Sequence, residues 1–346
     1  ASKVIKDYTK RDTSTIHRGL MYMPDGFYYK EGRRVNKTKD GYFYADTKQK
    51  VFGKPYDFFT HFSYNKYNKM DYDVIIVDEF SMVDIFLFES LISAINFNKT
   101  RLLIIGDNSQ LPSVGCGNLL HDFIESNIIP KTTLTKIFRY GEGGLMKVAT
   151  DTRMCKEFLT NNMSGKMTQF GANKDYVFVD LESEQIPENV VALYKKLLND
   201  GYKIEDIQIL SSMNKGDCGT VRLNNMVQRV ANHNFGSELN MTYGDTTYYE
   251  GDLIIQKVNN YKAEIDLESL NDEEKDYYVD NGDKPTAFIA NGESGIIKHI
   301  YNSYMIIDFD GIMIRYEKSD LSMIKLGYSI SIHSSQGSGI KIVILC

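Results

Sequence analysis

The run Val74-Ile75-Ile76-Val77-Asp78-Glu79-Phe80-Ser81-Met82-Val83-Asp84 constrains this chain more than any other. Four apolar, mostly β-branched residues predict a short buried strand, and two adjacent carboxylates stand where it ends. In open α/β sheets, ligands bind outside the carboxyl ends of the strands. Two anions side by side there repel each other unless a cation or separate proton-transfer roles divide them. Nucleoside triphosphatases divide them that way, with one group on Mg²⁺ and another on the attacking water. Taken alone, the string fits better a strand followed by a solvated acidic turn. Its neighbours reverse that balance.

A second strand is predicted at 102–105, after one crossover helix near 84–97. It leads into Gly106-Asp107-Asn108-Ser109-Gln110-Leu111-Pro112-Ser113, which brings another carboxylate and an amide to a sheet edge. The Gln110 amide carries donors and an acceptor, so it can meet both a water and a phosphate oxygen. A further helix is predicted near 118–126, and such strand–helix alternation favours a doubly wound parallel α/β sheet.

At 346 residues, with 42% hydrophobic and 25% charged, the chain has the size of two or three ordered domains. No apolar run nears the roughly 20 residues that span a bilayer, and no signal segment opens the chain, so no membrane association is expected. Cys116, Cys155, Cys218 and Cys346 are scattered without a C-x-x-C pair. That argues against a zinc ribbon or a disulfide framework and suits a reducing cytoplasm. The net charge of −6 does not advertise a nucleic-acid binder, yet a groove can be locally basic in an acidic protein.

Residues 20–70 are dense in Tyr, Lys, Asp and Gly. There Phe27-Tyr28-Tyr29 and Gly41-Tyr42-Phe43-Tyr44 flank a polar stretch, which predicts a β-hairpin or small subdomain. A second α/β stretch follows, with helices near 143–158, 187–199 and 220–231 and strands at 176–180 and 207–210. From about 244 to 324, short strands alternate with turn signals such as Gly251-Asp252, Asn291-Gly292 and Asp310-Gly311, which predicts a small all-β module. Strand character returns at 328–333 and 341–345. On this pattern the chain divides into 1–138, 139–243 plus 327–346, and an inserted 244–326. Residues 1–8 read as a helix already under way and 341–345 as a strand lacking its crossover, which suggests a fragment of a longer gene.

In order along the chain, these strings resemble the motifs of superfamily 1 helicases of the RecD-like branch, which includes the phage helicase Dda. DEFSMVD is similar to motif II, LLIIGDNSQLPSVGCGNLLHDF to motif III and LTKIFRY to motif IV. Ser14-Thr15-Ile16-His17-Arg18 resembles motif Ib, and residues 1–8 resemble the tail of motif Ia. Leu210-Ser211-Ser212-Met213-Asn214-Lys215-Gly216, with Gly219 and Leu223-Asn224, resembles a further family segment. Gly251-Asp252 and Asn291-Gly292-Glu293-Ser294-Gly295 resemble the start and middle of an SH3-like insert, and residues 327–338 resemble motif V. The resemblance implies two RecA-like P-loop NTPase domains, with a β-hairpin insert in the first and an SH3-like β-barrel in the second. It also implies an ATP-dependent DNA helicase that moves 5′→3′.

Carried onto matching positions, the resemblance puts Mg²⁺ on Asp78, the attacking water on Glu79 and γ-phosphate sensing on Gln110. Arg139 matches an arginine that reaches the phosphates, a role suited to its permanent charge and planar fork. Asp107 and Gly337 complete the ATP-side positions. Thr15, His17, Pro112, Asn214, His333, Ser335 and Gln336 match positions that contact single-stranded DNA, and single-strand/duplex junctions are implied substrates. Without that context, His17 and His333 read as core histidines and Arg139 as a surface ion pair.

There are departures from the pattern. Ser334 replaces the usual lysine of motif V, Ser338-Gly339-Ile340-Lys341 replaces S-E-F, and Ser212 replaces a proline. No G-x-x-x-x-G-K-[S/T] phosphate loop and no motif VI occurs in the sequence. The expectation is that both lie outside this fragment and that the chain alone does not turn over ATP. Two other possibilities share the motifs: a non-catalytic nucleic-acid-binding protein of helicase fold, and the helicase part of a relaxase or viral replicase.

Overall fold

The computed structural model describes residues 13–135, 143–281 and 284–346. The chain forms two compact units, Ala1–Arg139 and Tyr140–Cys346. No described helix is long and apolar enough to cross a membrane.

The first unit opens on a single helical turn, α1 (Ile16–Gly19), capped by Thr15, whose Oγ1 accepts the Arg18 N–H. Strands β1 (Tyr22–Lys30), β2 (Arg33–Thr38), β3 (Gly41–Tyr44) and β4 (Phe58–Phe62) form an antiparallel sheet in the order β3-β2-β1-β4. The two aromatic segments are not direct partners, because the charged strand β2 lies between them. Val35 explains its place. It pairs with Tyr28 on one side and Tyr44 on the other and is 2% exposed, so one apolar side chain anchors an otherwise polar strand.

Next come β5 (Val74–Val77), α2 (Ile85–Ala94), β6 (Arg101–Ile104) and α3 (Leu119–Ser126). β5 and β6 pair in parallel, and Ile75, Val77, Leu102 and Ile104 pack against the core of Phe80, Leu91, Ala94 and Leu120. The expectation of a fully buried strand is corrected here. Val74 and Ile76 are 54% and 60% exposed, because among the described residues helices cover only the other face. α2 also stops short of Phe97. The Asn96 side chain takes the Asn98 N–H and its carbonyl takes those of Lys99 and Thr100, a local turn that competes with the helix.

The second unit runs α4 (Gly144–Arg153), β7 (Met167–Phe170), β8 (Tyr176–Val179), α5 (Ile186–Asn199), β9 (Ile207–Ser211) and α6 (Thr220–Ala231). A hairpin of β10 (Asn240–Tyr243) and β11 (Thr246–Tyr249) follows. Then come β12 (Leu253–Gln256), β13 (Asn260–Ile265), α7 (Asp272–Asn281), β14 (Thr286–Ile289), β15 (Ser294–Ile300), β16 (Tyr304–Phe309), β17 (Ile312–Glu317) and β18 (Ile324–Leu326). The chain closes with β19 (Ser329–Ser331) and β20 (Ile342–Leu345). β9 is central in a parallel β19-β9-β20 sheet, and β12–β18 make one seven-stranded antiparallel sheet.

Three differences from the sequence pattern have local causes. β8 joins an antiparallel hairpin with β7 and not a parallel sheet. α4 ends at Arg153, with Cys155 in the left-handed region at φ 53°. The β module holds a helix, α7, whose run of charges showed no apolar stripe. One apolar core runs from Tyr194, Ile207 and Leu223 through Tyr248 and Ile254 to Ile307 and Tyr328.

Candidate active site

In the first unit, the β5 and β6 ends are stitched together. Ile105 N–H donates to the Val77 carbonyl at 2.8 Å, and Phe80 N–H donates to the Ile105 carbonyl at 3.0 Å. Gly106 sits in the seam, where a Cβ would meet Leu120 at 2.8 Å and the Phe80 nitrogen at 3.3 Å. Glu79 takes the left-handed conformation, φ 52° and ψ 42°, and turns the chain out of the strand directly after Asp78. Asp78 is exposed and Glu79 half-buried. Among the described residues, neither carboxylate has a hydrogen-bond or ion-pair partner.

Two adjacent, uncompensated carboxylates at a strand end fit a hard divalent cation. Mg²⁺ keeps several waters and takes one or two protein carboxylates together with substrate phosphates. No cage of three ligating side chains occurs among the described residues, and none is needed for such a site. Two residues after Glu79, Ser81 Oγ is buried without a hydrogen-bond partner among the described residues. Sequence reasoning passed over this serine, although a hydroxyl inside an apolar string was the available signal.

After β6, Asp107 builds the turn that presents Gln110. Its Oδ1 accepts the Ser109 N–H at 3.0 Å and its carbonyl accepts the Gln110 N–H at 3.2 Å, leaving Gln110 and Pro112 exposed. Asp84 caps α2 by accepting the Leu87 N–H at 2.8 Å, and a Cβ at Gly115 would lie 2.5 Å from its Oδ2. His17 packs against Phe62 and Tyr22 at ring distances of 5.7 and 6.0 Å. The residue is exposed, yet desolvation of the ring lowers its pKa from the ordinary 6.5, and the Asp84 charge opposes the shift. Thr15 and His17 therefore share one short turn, the first as its cap. Arg139 lies outside the described residues.

In the second unit, Ser331 pairs with Ser211 in parallel register, so the loops after β9 and β19 leave neighbouring strand ends on the same side. Beyond β9, Asn214 is exposed and its Oδ1 accepts the Thr220 hydroxyl at 3.0 Å. Beyond β19, the chain makes the short 3₁₀ turn Ile332–Ser335, where a strand through 333 was expected. Ser331 Oγ caps this turn by accepting the Ser334 N–H, and Ser335 Oγ donates to the Ile332 carbonyl at 2.7 Å. His333 is exposed and so is no core histidine, Ser335 and Gln336 are half-buried, and Gly337 has φ 74°. Four polar residues behind these loops are buried: Asn224 and Asp252 stood in the sequence only as parts of motif and turn strings, and Gln228 and Asn232 in none.

A family model described as an AAA domain matches residues 1–116. The ATP-dependent RecD2 DNA helicase of Deinococcus radiodurans is 24% identical over 339 residues, covering 98% of this chain and 36% of that protein. The RecBCD enzyme subunit RecD of Mycolicibacterium smegmatis is 28% identical over 233 residues, covering 64% of this chain and 40% of that protein. The chain thus spans little more than a third of the length of these curated relatives. A solved Pif1 helicase from Bacteroides, in complex with ADP-AlF3 and ssDNA, aligns at TM-score 0.43 and 14% identity, over 80% of this chain and 64% of that one.

Proposed function

We propose, for a chain that is a superfamily-1-type helicase domain related to RecD, that it forms the motor core of an ATP-driven translocase on single-stranded DNA. The observation that carries this is the stitched end of β5 and β6. It brings Asp78 and Glu79 beside the Asp107–Gln110 turn with no competing partner for either carboxylate. On this reading the parallel sheets around β5–β6 and β9 belong to two RecA-like domains, and the seven-stranded sheet with α7 is an SH3-like insert in the second.

Bound ATP with Mg²⁺ supplies the phosphoanhydride whose hydrolysis drives the cycle. Asp78 would hold the metal. Glu79 accepts a hydrogen bond from the attacking water and orients it toward the γ-phosphate. Gln110, carried on the Asp107 turn, follows the presence of the γ-phosphate and passes it to the loop through Pro112. Arg139 and Gly337 are the remaining nucleotide-side positions. Thr15, His17, Asn214, His333, Ser335 and Gln336 hold the strand by hydroxyl, amide and ring contacts, which position the backbone without selecting sequence.

The test is ATP turnover by the full-length protein with and without oligo-dT, paired with unwinding of 5′-tailed and 3′-tailed duplexes. Strand-stimulated turnover with unwinding from the 5′ tail is expected. Tight strand binding without any turnover would establish the non-catalytic alternative.

A further inference from the structure

Asp252 is a carboxylate at 0% exposure with no cation against it among the described residues, a costly arrangement that plain packing does not require. Its surroundings are all donors. Oδ1 accepts from Asn232 Nδ2 at 2.6 Å and from the Tyr328 hydroxyl at 2.9 Å. Oδ2 accepts from Gln228 Nε2 at 2.6 Å and from the Tyr249 N–H at 2.8 Å. Burial raises its pKa, while these four hydrogen bonds act in the opposite direction. Four donors and no acceptor form a nest that matches the ionised form.

The location gives the nest its meaning. The chain passes into the β module at 249–253 and leaves it at 326–329, and both crossings meet at Asp252. Leu253 N–H donates to the Tyr328 hydroxyl at 3.4 Å, and Gly327 N–H donates to the Leu253 carbonyl at 2.8 Å. A Cβ at Gly327 would lie 3.0 Å from the Ile254 carbonyl carbon, so the two segments are at closest approach. α6 completes the arrangement with a buried polar stripe at helical spacing. Asn224 exchanges two bonds with the Ser329 backbone at 2.8 and 2.9 Å, Gln228 reaches Asp252, and Asn232 caps the row.

We propose that Asp252 is a positioning residue that locks the β module to α6 and β19, so that the module and the Ile332–Ser335 turn move as one body. A force on the module is then delivered to His333 and Ser335, and a strand held at His333 fixes the module in turn. The part concerning DNA rests on the reading of His333 and Ser335 given above, whereas the mechanical lock does not.

The experiment compares the full-length wild-type protein with Asp252→Asn, Tyr328→Phe and, as a control for lost stability, Ile314→Val in the module's core away from the nest. An amide at 252 turns an NH₂ against two donors, whereas Tyr328→Phe removes one donor and keeps the ring. In hydrogen exchange, Asp252→Asn is expected to speed up Leu253–Gln256 and Ser329–Ser331 together, with Tyr328→Phe showing the same pattern more weakly. Ile314→Val is expected to leave the 329–331 amides unchanged. In DNA-stimulated ATP turnover, Asp252→Asn is expected to raise the KM for oligo-dT roughly tenfold while kcat at saturating DNA stays within about twofold.

Faster exchange confined to one of the two segments would overturn the lock. So would an equal rise in KM with Ile314→Val. If the wild-type protein shows no DNA-stimulated turnover, the proposed function fails and the exchange experiment alone decides the lock.

Discussion

Glu79 occupies a backbone region that non-glycine residues rarely visit, and it does so two residues after Val77, the last residue of the strand. A left-handed residue at a strand end re-aims its side chain, and such strain persists where surrounding structure holds it. Here the holding bonds are Phe80 N–H to the Ile105 carbonyl and Ile105 N–H to the Val77 carbonyl. In the full-length protein, Glu79→Gln keeps the shape and the turn but removes the basic oxygen. It is expected to lower kcat about 10²–10⁴-fold, as loss of a general base does, with nucleotide affinity changed by no more than about threefold. Near-normal turnover in that variant would remove Glu79 from the mechanism.

His17 gives a second residue-scale expectation. Its folded pKa lies below the ordinary 6.5 because Tyr22 and Phe62 shield the ring. The unfolded chain therefore binds a proton more readily, so stability contributed by His17 is present above 6.5 and is lost as pH falls toward the folded pKa. Thermal melts of wild type and His17→Asn across that window should converge on acidification. A constant difference between them would place the ring in water. On the proposed reading, the lowered pKa favours the neutral ring, which would meet a DNA strand by stacking or hydrogen bonding.

At the scale of elements, what the sequence could show depended on whether an element buries one clean stripe. α5 and α6 do, with Val190 and Tyr194 on one and Leu223 and Val227 on the other. Their bounds follow the expected ones within a residue. β7 is Met-Thr-Gln-Phe and carries too little periodicity to be seen. β19 was overextended because Ser331 and Ser335 turn their hydroxyls back on the backbone, which apolar pattern cannot reveal. The exposed face of β5 was invisible for a different reason: four apolar residues look the same whether one or both faces are covered. The stripe on α6 also gives a stability prediction. Leu223 is 0% exposed in the second unit's core, so Leu223→Ala should cost about 2–5 kcal/mol in urea denaturation. A loss well below that range would mean the core collapses into the space.

For the whole molecule, the motif order was legible because each motif is a short contiguous string in the sequence. The Asp252 nest was not, because its members lie at 228, 232, 249, 252 and 328 and come together only in three dimensions. The same contrast bears on charge. The net charge is −6, and on the proposed reading Thr15, Pro112, Asn214, Ser335, Gln336 and the His17 ring would bring no fixed positive charge to the strand. Ser334 stands where a lysine would have added one. Binding to single strands normally weakens with salt at about −0.7 per phosphate neutralised. If the hydroxyl, amide and ring contacts carry the strand, few counterions are released. Fluorescence anisotropy of labelled oligo-dT on the full-length protein should then give a slope of log K against log salt of about −1.5 or shallower. A slope steeper than about −3 would show that lysines or arginines outside these positions hold the DNA, and the proposed strand-binding positions would have to be redrawn around them.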